Sequence, residues 1–252
     1  MRVIVRYTPS SQCKETRSCR TMRAATMLLV VRRIHAFARP GAQSRRCAPL
    51  HAKPALVVWD MDDCLWSPEM FTLNEMPSAP PVMGDLNGRG EGVIGVKSGG
   101  DTIKLFPDAL RVLQEFHDGA HDPTKLAVAS SADTPFAASI AQAALDILEI
   151  VPGVTLRQVL CRGHPDGMND HIIIGRTAPL SSDKSKTHFP LIREATGMEY
   201  GEMLFFDDSN WSDHCTIVAK HCPGVVTQRT PRGLQYSEWE NGLKKFAAAK
   251  EK

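Results

Sequence analysis

Short apolar runs that end at polar residues recur along the chain and predict a central sheet. The first, Ala55 to Trp59, contains two valines and is followed by carboxylates, which is typical of a strand buried on both faces of a parallel sheet. Runs of the same kind are 125–130 and 202–206. Shorter strand-like runs are 154–160, 171–174 and 224–227.

Segments with helical spacing of apolar residues alternate with these strands. Pro107 and Pro135 are first-turn prolines, and Thr134 is a helix N-cap residue. Gly197 is expected to end another helix. Helices are predicted at 107–119, 135–148, 186–196, 210–220 and 237–250. The alternation predicts an α/β protein with a doubly wound, Rossmann-like parallel sheet.

A segment rich in proline and glycine separates the first strand from the first helix. Its composition predicts loop over most of 67–101. Residues 92–97 and 102–106, joined by Ser-Gly-Gly-Asp, have the pattern of a β-hairpin. The segment 66–106 is therefore expected to form a flap, or minimal cap, that leaves the site below it open, because an isolated hairpin is marginally stable.

Polar residues follow the three longest predicted strands. Asp60 and Asp62 follow the first, Ser130 ends the second, and Asp207 and Asp208 follow the third. The carboxyl ends of parallel strands face one crevice, where ligands bind in open α/β sheets. Taken alone, residues 60–63 are equally compatible with a polar turn, but the recurrence favours a site.

The residue types at these strand ends suit a phosphate bound beside Mg²⁺. Magnesium prefers one or two carboxylates together with water and phosphate oxygens. Ser130 supplies a hydrogen-bond donor, and Lys186, at a predicted helix start, supplies a positive charge for phosphoryl oxygens.

In their order and spacing these residues resemble the four motifs of the haloacid dehalogenase superfamily. Within it, the chain is most similar to the eukaryotic magnesium-dependent phosphatase (acid phosphatase) family, over roughly residues 54–246. The segments that carry the resemblance are WDMDDCLW, KLFP, AVASS, SKTHF and FFDDSN. The resemblance implies a Rossmann-like fold of the haloacid dehalogenase type and hydrolysis of phosphomonoesters with Mg²⁺ as cofactor.

The resemblance also implies a role for each motif residue. Asp60 is the expected nucleophile, forming an aspartyl-phosphate and binding the metal, and Asp62 is the expected general acid and base, with its backbone carbonyl on the metal. Lys186 is expected to neutralise the phosphate. Two further sets complete the site: Ser130 and Ser131 are expected to bind the phosphate, and Asp207 and Asp208 to bind the metal. Which of these two aspartates contacts the metal directly stays open.

The chain departs from the family at several positions. Cys64 stands where the family usually has Thr, and Ser131-Ala132 replaces an Arg-Thr pair, so a substrate-contacting cation is missing. The stretch from 144 to 186 is longer than in the family. Three further residues are not expected to be catalytic. Trp66 is expected at the flap entrance, His188 in a surface or packing position, and Trp211 in the core.

The N-terminal 53 residues differ in charge from the rest. They contain twelve Lys/Arg and one acid, a net charge of +11, whereas the remaining residues carry −9. An arginine-rich, almost acid-free leader is typical of a transit peptide to a mitochondrion or plastid; a cytoplasmic protein is the alternative. A basic arm that binds nucleic acid or acidic lipid is the rival interpretation, and no nucleic-acid partner is expected. The domains predicted are 1–53 and 54–252.

The sequence therefore predicts a magnesium-dependent phosphatase acting on aryl or sugar phosphates or phosphotyrosine. Its partners are expected to be a phosphorylated small molecule or a phosphoprotein, and no membrane span is expected. The alternative is a catalytically silent protein that keeps this fold for binding. The retained acidic residues favour an enzyme.

Overall fold

A five-stranded parallel sheet forms the centre of the computed structural model, which describes residues 52–251. Its strands are β1 (Leu56–Trp59), β6 (Lys125–Ser130), β9 (Ile172–Ile174), β10 (Met203–Asp207) and β11 (Val226–Arg229). They lie in the order β11-β10-β1-β6-β9, and every pair is parallel. The predicted α/β doubly wound sheet is confirmed.

Helices cover both faces of this sheet. They are α1 (Pro107–His117), α2 (Pro135–Ile147), α3 (Leu156–Leu160), α4 (His188–Thr196), α5 (His214–His221) and α6 (Tyr236–Lys250). Alternate residues of β1 point to opposite faces: Val57 and Trp59 join one apolar cluster and Leu56 and Val58 the other. All four are fully buried, which explains why the strand contains no polar residue.

Local signals set several helix ends. The Thr134 side chain accepts a hydrogen bond from the Ala137 N–H at the start of α2, and Gly197 adopts the left-handed conformation (φ 67°) after α4. The predicted strand at 154–160 was wrong beyond its first two residues. Val154 and Thr155 form the short strand β8, paired with β7 (Glu149–Val151), and α3 begins at Leu156 behind a capping box.

The flap is a four-stranded antiparallel sheet. The predicted hairpin is confirmed as β4 (Glu91–Ser98) and β5 (Asp101–Leu105), flanked by β2 (Trp66–Ser67) and β3 (Ser78–Asp85) in the order β2-β5-β4-β3. The prediction of loop was wrong for 78–85. Two prolines suggested a loop there, yet β3 is an edge strand, where a missing N–H is tolerated. Val96 and Ile103 join the main core cluster, so the flap packs on the domain.

Two sequence-based predictions relate to the N-terminal segment and to membranes. The leader predicted at 1–53 lies outside the described residues, apart from its last two. Within residues 52–251, none of the helices has the length and apolar character required to cross a bilayer.

Candidate active site

The predicted site lies where β1, β6 and β10 end. The chain runs from β1 outward to β6 and β9 and then returns to the other side of β1 for β10, so the strand order reverses next to β1. Ligands bind at such a reversal in open α/β sheets. The Asp60 N–H donates to the Phe206 carbonyl (2.9 Å), which continues the β1–β10 pairing by one residue and brings Asp60 beside Asp207.

Three carboxylates and one ammonium form the centre of the site. One oxygen each of Asp60, Asp207 and Asp208 lies within 4.8 Å of the others. The Lys184 ammonium bridges two of them, with Nζ 2.8 Å from Asp60 Oδ1 and 2.6 Å from Asp207 Oδ2. Its side chain is only 1% exposed, so the lysine is committed to these carboxylates.

The structure does not bring Lys186 to the site, and Lys184 occupies the place predicted for it. The Lys186 side chain is 76% exposed and its Nζ lies 3.2 Å from Asp183. The predicted helix start at 186 was the source of the error, because α4 begins at His188 and both lysines precede it. Asp183 accepts hydrogen bonds from the backbone N–H and hydroxyl of Ser185, in the turn between the two lysines.

Burial and charge both perturb the titration of this cluster. Burial raises the pKa of Asp60, and Asp207 and Asp208 add to this effect, while Lys184 opposes it. Burial alone would lower the pKa of Lys184, but the Asp207 and Asp60 carboxylates outweigh it and raise that pKa. Three carboxylates against one ammonium leave two negative charges in excess. Since hard carboxylate oxygens are the ligands that Mg²⁺ prefers, the donor set fits this cation.

The two neighbouring aspartates of the last motif have different surroundings. Both oxygens of Asp207 are occupied: Oδ2 by Lys184, and Oδ1 by the backbone N–H (2.8 Å) and hydroxyl (3.0 Å) of Ser209. Lys184 holds the pKa of Asp207 below its usual value although burial acts to raise it. Asp208 uses Oδ2 for the Asn210 N–H (2.8 Å) and lines the pocket. The geometry therefore favours Asp208 as the direct metal ligand and Asp207 as the anchor of Lys184.

Asp62 lines the same pocket and is held by two donors from the flap side. The Trp66 indole N–H donates to Oδ1 (2.7 Å) and the Met70 N–H to Oδ2 (3.0 Å). Burial nevertheless raises the pKa of Asp62 to about 6, because these hydrogen bonds offset only part of the desolvation. A carboxyl with that pKa can both donate and accept a proton near neutral pH. Trp66 was expected at the flap entrance, but it is fully buried and does not line the pocket, and its contact with Asp62 was not predicted.

Ser130 and Ser131 contribute to the lining of the pocket opposite the flap. Ser130 is 2% exposed, and its backbone carbonyl accepts a hydrogen bond from the His188 imidazole Nε2 (3.0 Å). His188 is fully buried, in agreement with a packing role, and it positions the end of β6. The Ser131 hydroxyl donates only a long bond of 3.4 Å to the Ser182 carbonyl.

The pocket entrance contains residues that the sequence analysis did not select. Glu69, from the flap, and Trp211 and His214, from the segment after β10, line the pocket. Trp211 was expected in the core, but it is 77% exposed, because the loop that carries it follows Asp208 to the entrance. Its position close to the acidic pair Asp207 and Asp208 was the available signal.

Comparisons with known proteins identify a family and a similar solved structure. No curated protein matches the chain. A similar solved structure is the N-terminal part of a Bacteroides fragilis protein containing a phosphatase domain, complexed with Mg; it is 14% identical, with a TM-score of 0.39 over 77% of this chain. This chain spans 40% of that one. The family model described as Acid Phosphatase matches residues 52–249, from before β1 to the last turn of α6. With four acidic residues and a buried lysine assembled at the strand ends of that match, the chain belongs to the acid phosphatase family.

Proposed function

We propose that the chain is a Mg²⁺-dependent phosphomonoester hydrolase that works through an aspartyl-phosphate on Asp60. The observation that carries the proposal is the buried cluster in which Lys184 bridges Asp60 and Asp207 while Asp208 lies within 4.8 Å of both carboxylates. A nucleophilic carboxylate, a neutralising cation and a further carboxylate that can bind a metal ion are the parts that phosphoryl transfer requires.

Asp60, Asp208 and the backbone carbonyl of Asp62 are the groups proposed to hold the metal. Bound there, Mg²⁺ would supply positive charge for the oxygens of the transferring phosphoryl group. Lys184 adds a second positive charge 2.8 Å from Asp60 and acts to lower the pKa of that carboxyl, against the effect of burial. The Ser130 and Ser131 N–H and hydroxyl groups are available to the remaining phosphoryl oxygens.

In the first half of the reaction, a carboxylate oxygen of Asp60 attacks phosphorus and the bond to the leaving oxygen breaks. Asp62, in its protonated form, gives its proton to that oxygen, so that the alcohol leaves and Asp62 becomes a carboxylate. Its raised pKa of about 6 makes the protonated form available at mildly acidic pH. Trp66 and Met70 hold the Asp62 carboxyl in a fixed orientation for this transfer.

In the second half, Asp62 takes a proton from a water molecule, whose oxygen attacks the phosphorus of the aspartyl-phosphate. The bond between phosphorus and Asp60 breaks, and inorganic phosphate and the original carboxylate are formed. The same residue thus serves as acid and then as base, in agreement with a pKa near the working pH.

The substrates proposed are aryl phosphates, sugar phosphates and phosphotyrosine, since the pocket is bordered by the exposed side chain of Trp211 and is therefore accessible from solvent there. The rival proposal is a catalytically silent binding protein with the same fold. It gives no reason for three carboxylates to be buried within 4.8 Å of one another around a single ammonium, which is unfavourable unless a further cation binds there.

The test compares Asp60→Asn with Asp63→Asn as a matched control. Asp63 is three residues further on, does not line the pocket, and has a left-handed backbone (φ 50°) that Asn also adopts. With 4-nitrophenyl phosphate and Mg²⁺, Asp63→Asn should keep activity, whereas Asp60→Asn should retain less than ~1%. Chelation should abolish wild-type activity, and Mg²⁺ should restore it.

Acid-quenched protein should show, by mass, one added phosphoryl group in wild type during turnover and none in Asp60→Asn. Asp62→Asn should accumulate the phosphorylated form, because it lacks the base for hydrolysis. Turnover by Asp60→Asn at the wild-type rate, or turnover unaffected by chelation, would falsify the proposal.

A further inference from the structure

The pocket entrance has an aromatic corner formed by two exposed side chains. Trp211 is 77% exposed and lines the pocket, and Phe71, from the flap, is 47% exposed. Their ring centroids are 5.8 Å apart and their planes are inclined by 82°. Exposing two large rings to water is unfavourable. Their position at the entrance indicates a part in ligand recognition.

A carboxylate lies against this corner. The Trp211 indole N–H donates to Glu69 Oε1, a contact between residues 142 positions apart in the chain. Glu69 lines the same pocket and is two residues before Phe71 in the flap. The hydrogen bond therefore fixes the indole and the carboxylate side by side, one from the flap and one from the sheet domain.

No positive side chain balances Glu69 among the described residues that line the pocket. Four carboxylates line it, and the sole ammonium, that of Lys184, is bound to Asp60 and Asp207. Burial raises the pKa of Glu69 to about 6, and the nearby carboxylates of Asp63, Asp62 and Asp208 act in the same direction. At neutral pH the entrance is anionic.

We infer that Trp211, Phe71 and Glu69 form a specificity subsite for a leaving group that carries an ammonium cation. This inference rests on the proposed phosphatase function and names its substrate class: phosphomonoesters of amino alcohols, including quaternary ones. A cation gains from the ring quadrupoles and from the carboxylate together. A neutral aryl group uses the rings but leaves the charge of Glu69 without a counter-ion, and an anionic group is repelled by that charge.

The test compares two substrates of the same shape that differ in charge, choline phosphate and the neutral-headed 3,3-dimethylbutyl phosphate. The full-length chain is assayed with Mg²⁺ at about pH 7.5, above the pKa of Glu69. Wild type should prefer choline phosphate about tenfold in kcat/KM, the size expected from one exposed cation–π contact and one exposed ion pair. Glu69→Gln and Trp211→Leu should each reduce this ratio several-fold. Leu191→Ala, at an exposed apolar residue of α4, should keep it.

Affinities measured by calorimetry on the Asp60→Asn variant, which lacks the nucleophile, provide the second measurement, which needs no turnover. The same preference for choline phosphate should appear there and should fall when Glu69→Gln is added. A ratio of one or less in binding and in kcat/KM overturns the inference, and so does a ratio that neither entrance substitution changes. If the inference fails in this way while 4-nitrophenyl phosphate is still hydrolysed, the proposed phosphatase function stands. If choline phosphate binds preferentially but no phosphate ester is hydrolysed, the proposed function is refuted instead.

Discussion

Replacing Lys184 by Met tests the assignment of the buried cation most directly. Methionine has nearly the same length and fits an apolar cavity, so the substitution removes the charge with little change in volume. The ammonium it removes lies 2.8 Å from Asp60 and 2.6 Å from Asp207, and its side chain is 1% exposed. Two buried carboxylates then lose their shared partner.

The expected loss of stability follows from that geometry. Removing one member of a buried ion pair costs about 3–5 kcal/mol, because the remaining charge stays desolvated and unpaired. For a domain of 150–250 residues each kcal/mol corresponds to about 2–4 °C in Tm, so we expect a decrease of about 10 °C in the absence of divalent cations. Added Mg²⁺ should recover part of the loss, since a cluster with more negative charge binds the cation more strongly.

The matched control is Lys186→Met. Lys186 is 76% exposed in its pair with Asp183, and an exposed pair contributes only about 0–1 kcal/mol. Thermal unfolding and 4-nitrophenyl phosphate hydrolysis are measured for both variants, with Mg²⁺ and with chelator. We expect Lys184→Met to be inactive and less stable and Lys186→Met to resemble wild type. An active Lys184→Met, or an inactive Lys186→Met of normal stability, would refute the assignment of Lys184.

Two other predictions concern the carboxylates. Asp208→Asn should raise the Mg²⁺ concentration needed for half-maximal activity at least tenfold, with little change in Tm. Asp207→Asn should mainly lower Tm, because Asp207 is fully buried against Lys184 and Ser209. The reverse pattern would exchange their roles. Because the pKa of Asp62 is raised to about 6 and its protonated form is the acid, kcat/KM for an alkyl phosphate should fall as pH rises through 6. A 4-nitrophenyl leaving group, which needs no proton, should show a weaker decline; identical pH profiles for both substrates would exclude Asp62 as the acid.

The sequence by itself determined the sheet and the position of its site. An apolar segment such as Leu56–Trp59 is typical of a strand that is covered on both faces of a parallel sheet. Carboxylates directly after it must lie at the carboxyl ends of the strands. Since three strands ended in this way, the convergence of Asp60, Ser130 and Asp207 followed from topology alone. The same local signals, a proline in the first turn and a glycine after the last, placed the ends of α1, α2 and α4 that carry them within about two residues, whereas the start predicted at 210 was wrong by four residues, because α5 begins at His214.

Other features depended on contacts between segments far apart in the chain. Residues 78–85 are a strand because β4 pairs with one of their sides, although two prolines lower their intrinsic tendency to form one. Trp211 is exposed because its loop leads to the entrance, where Phe71 and Glu69 meet it from the flap. Average burial preferences, which place tryptophan inside, carry no information about such a position.

Tertiary contacts also decide which of two nearby lysines lies at the site. Lys184 and Lys186 are two positions apart, have identical chemistry and lie in one turn before α4, so local propensity does not distinguish them. What distinguishes them is the carboxylate pair supplied by β1 and β10, which surrounds one ammonium while the other faces solvent. Burial of a charge is favourable only where partners from elsewhere in the chain meet it, and the tertiary structure alone brings those partners together.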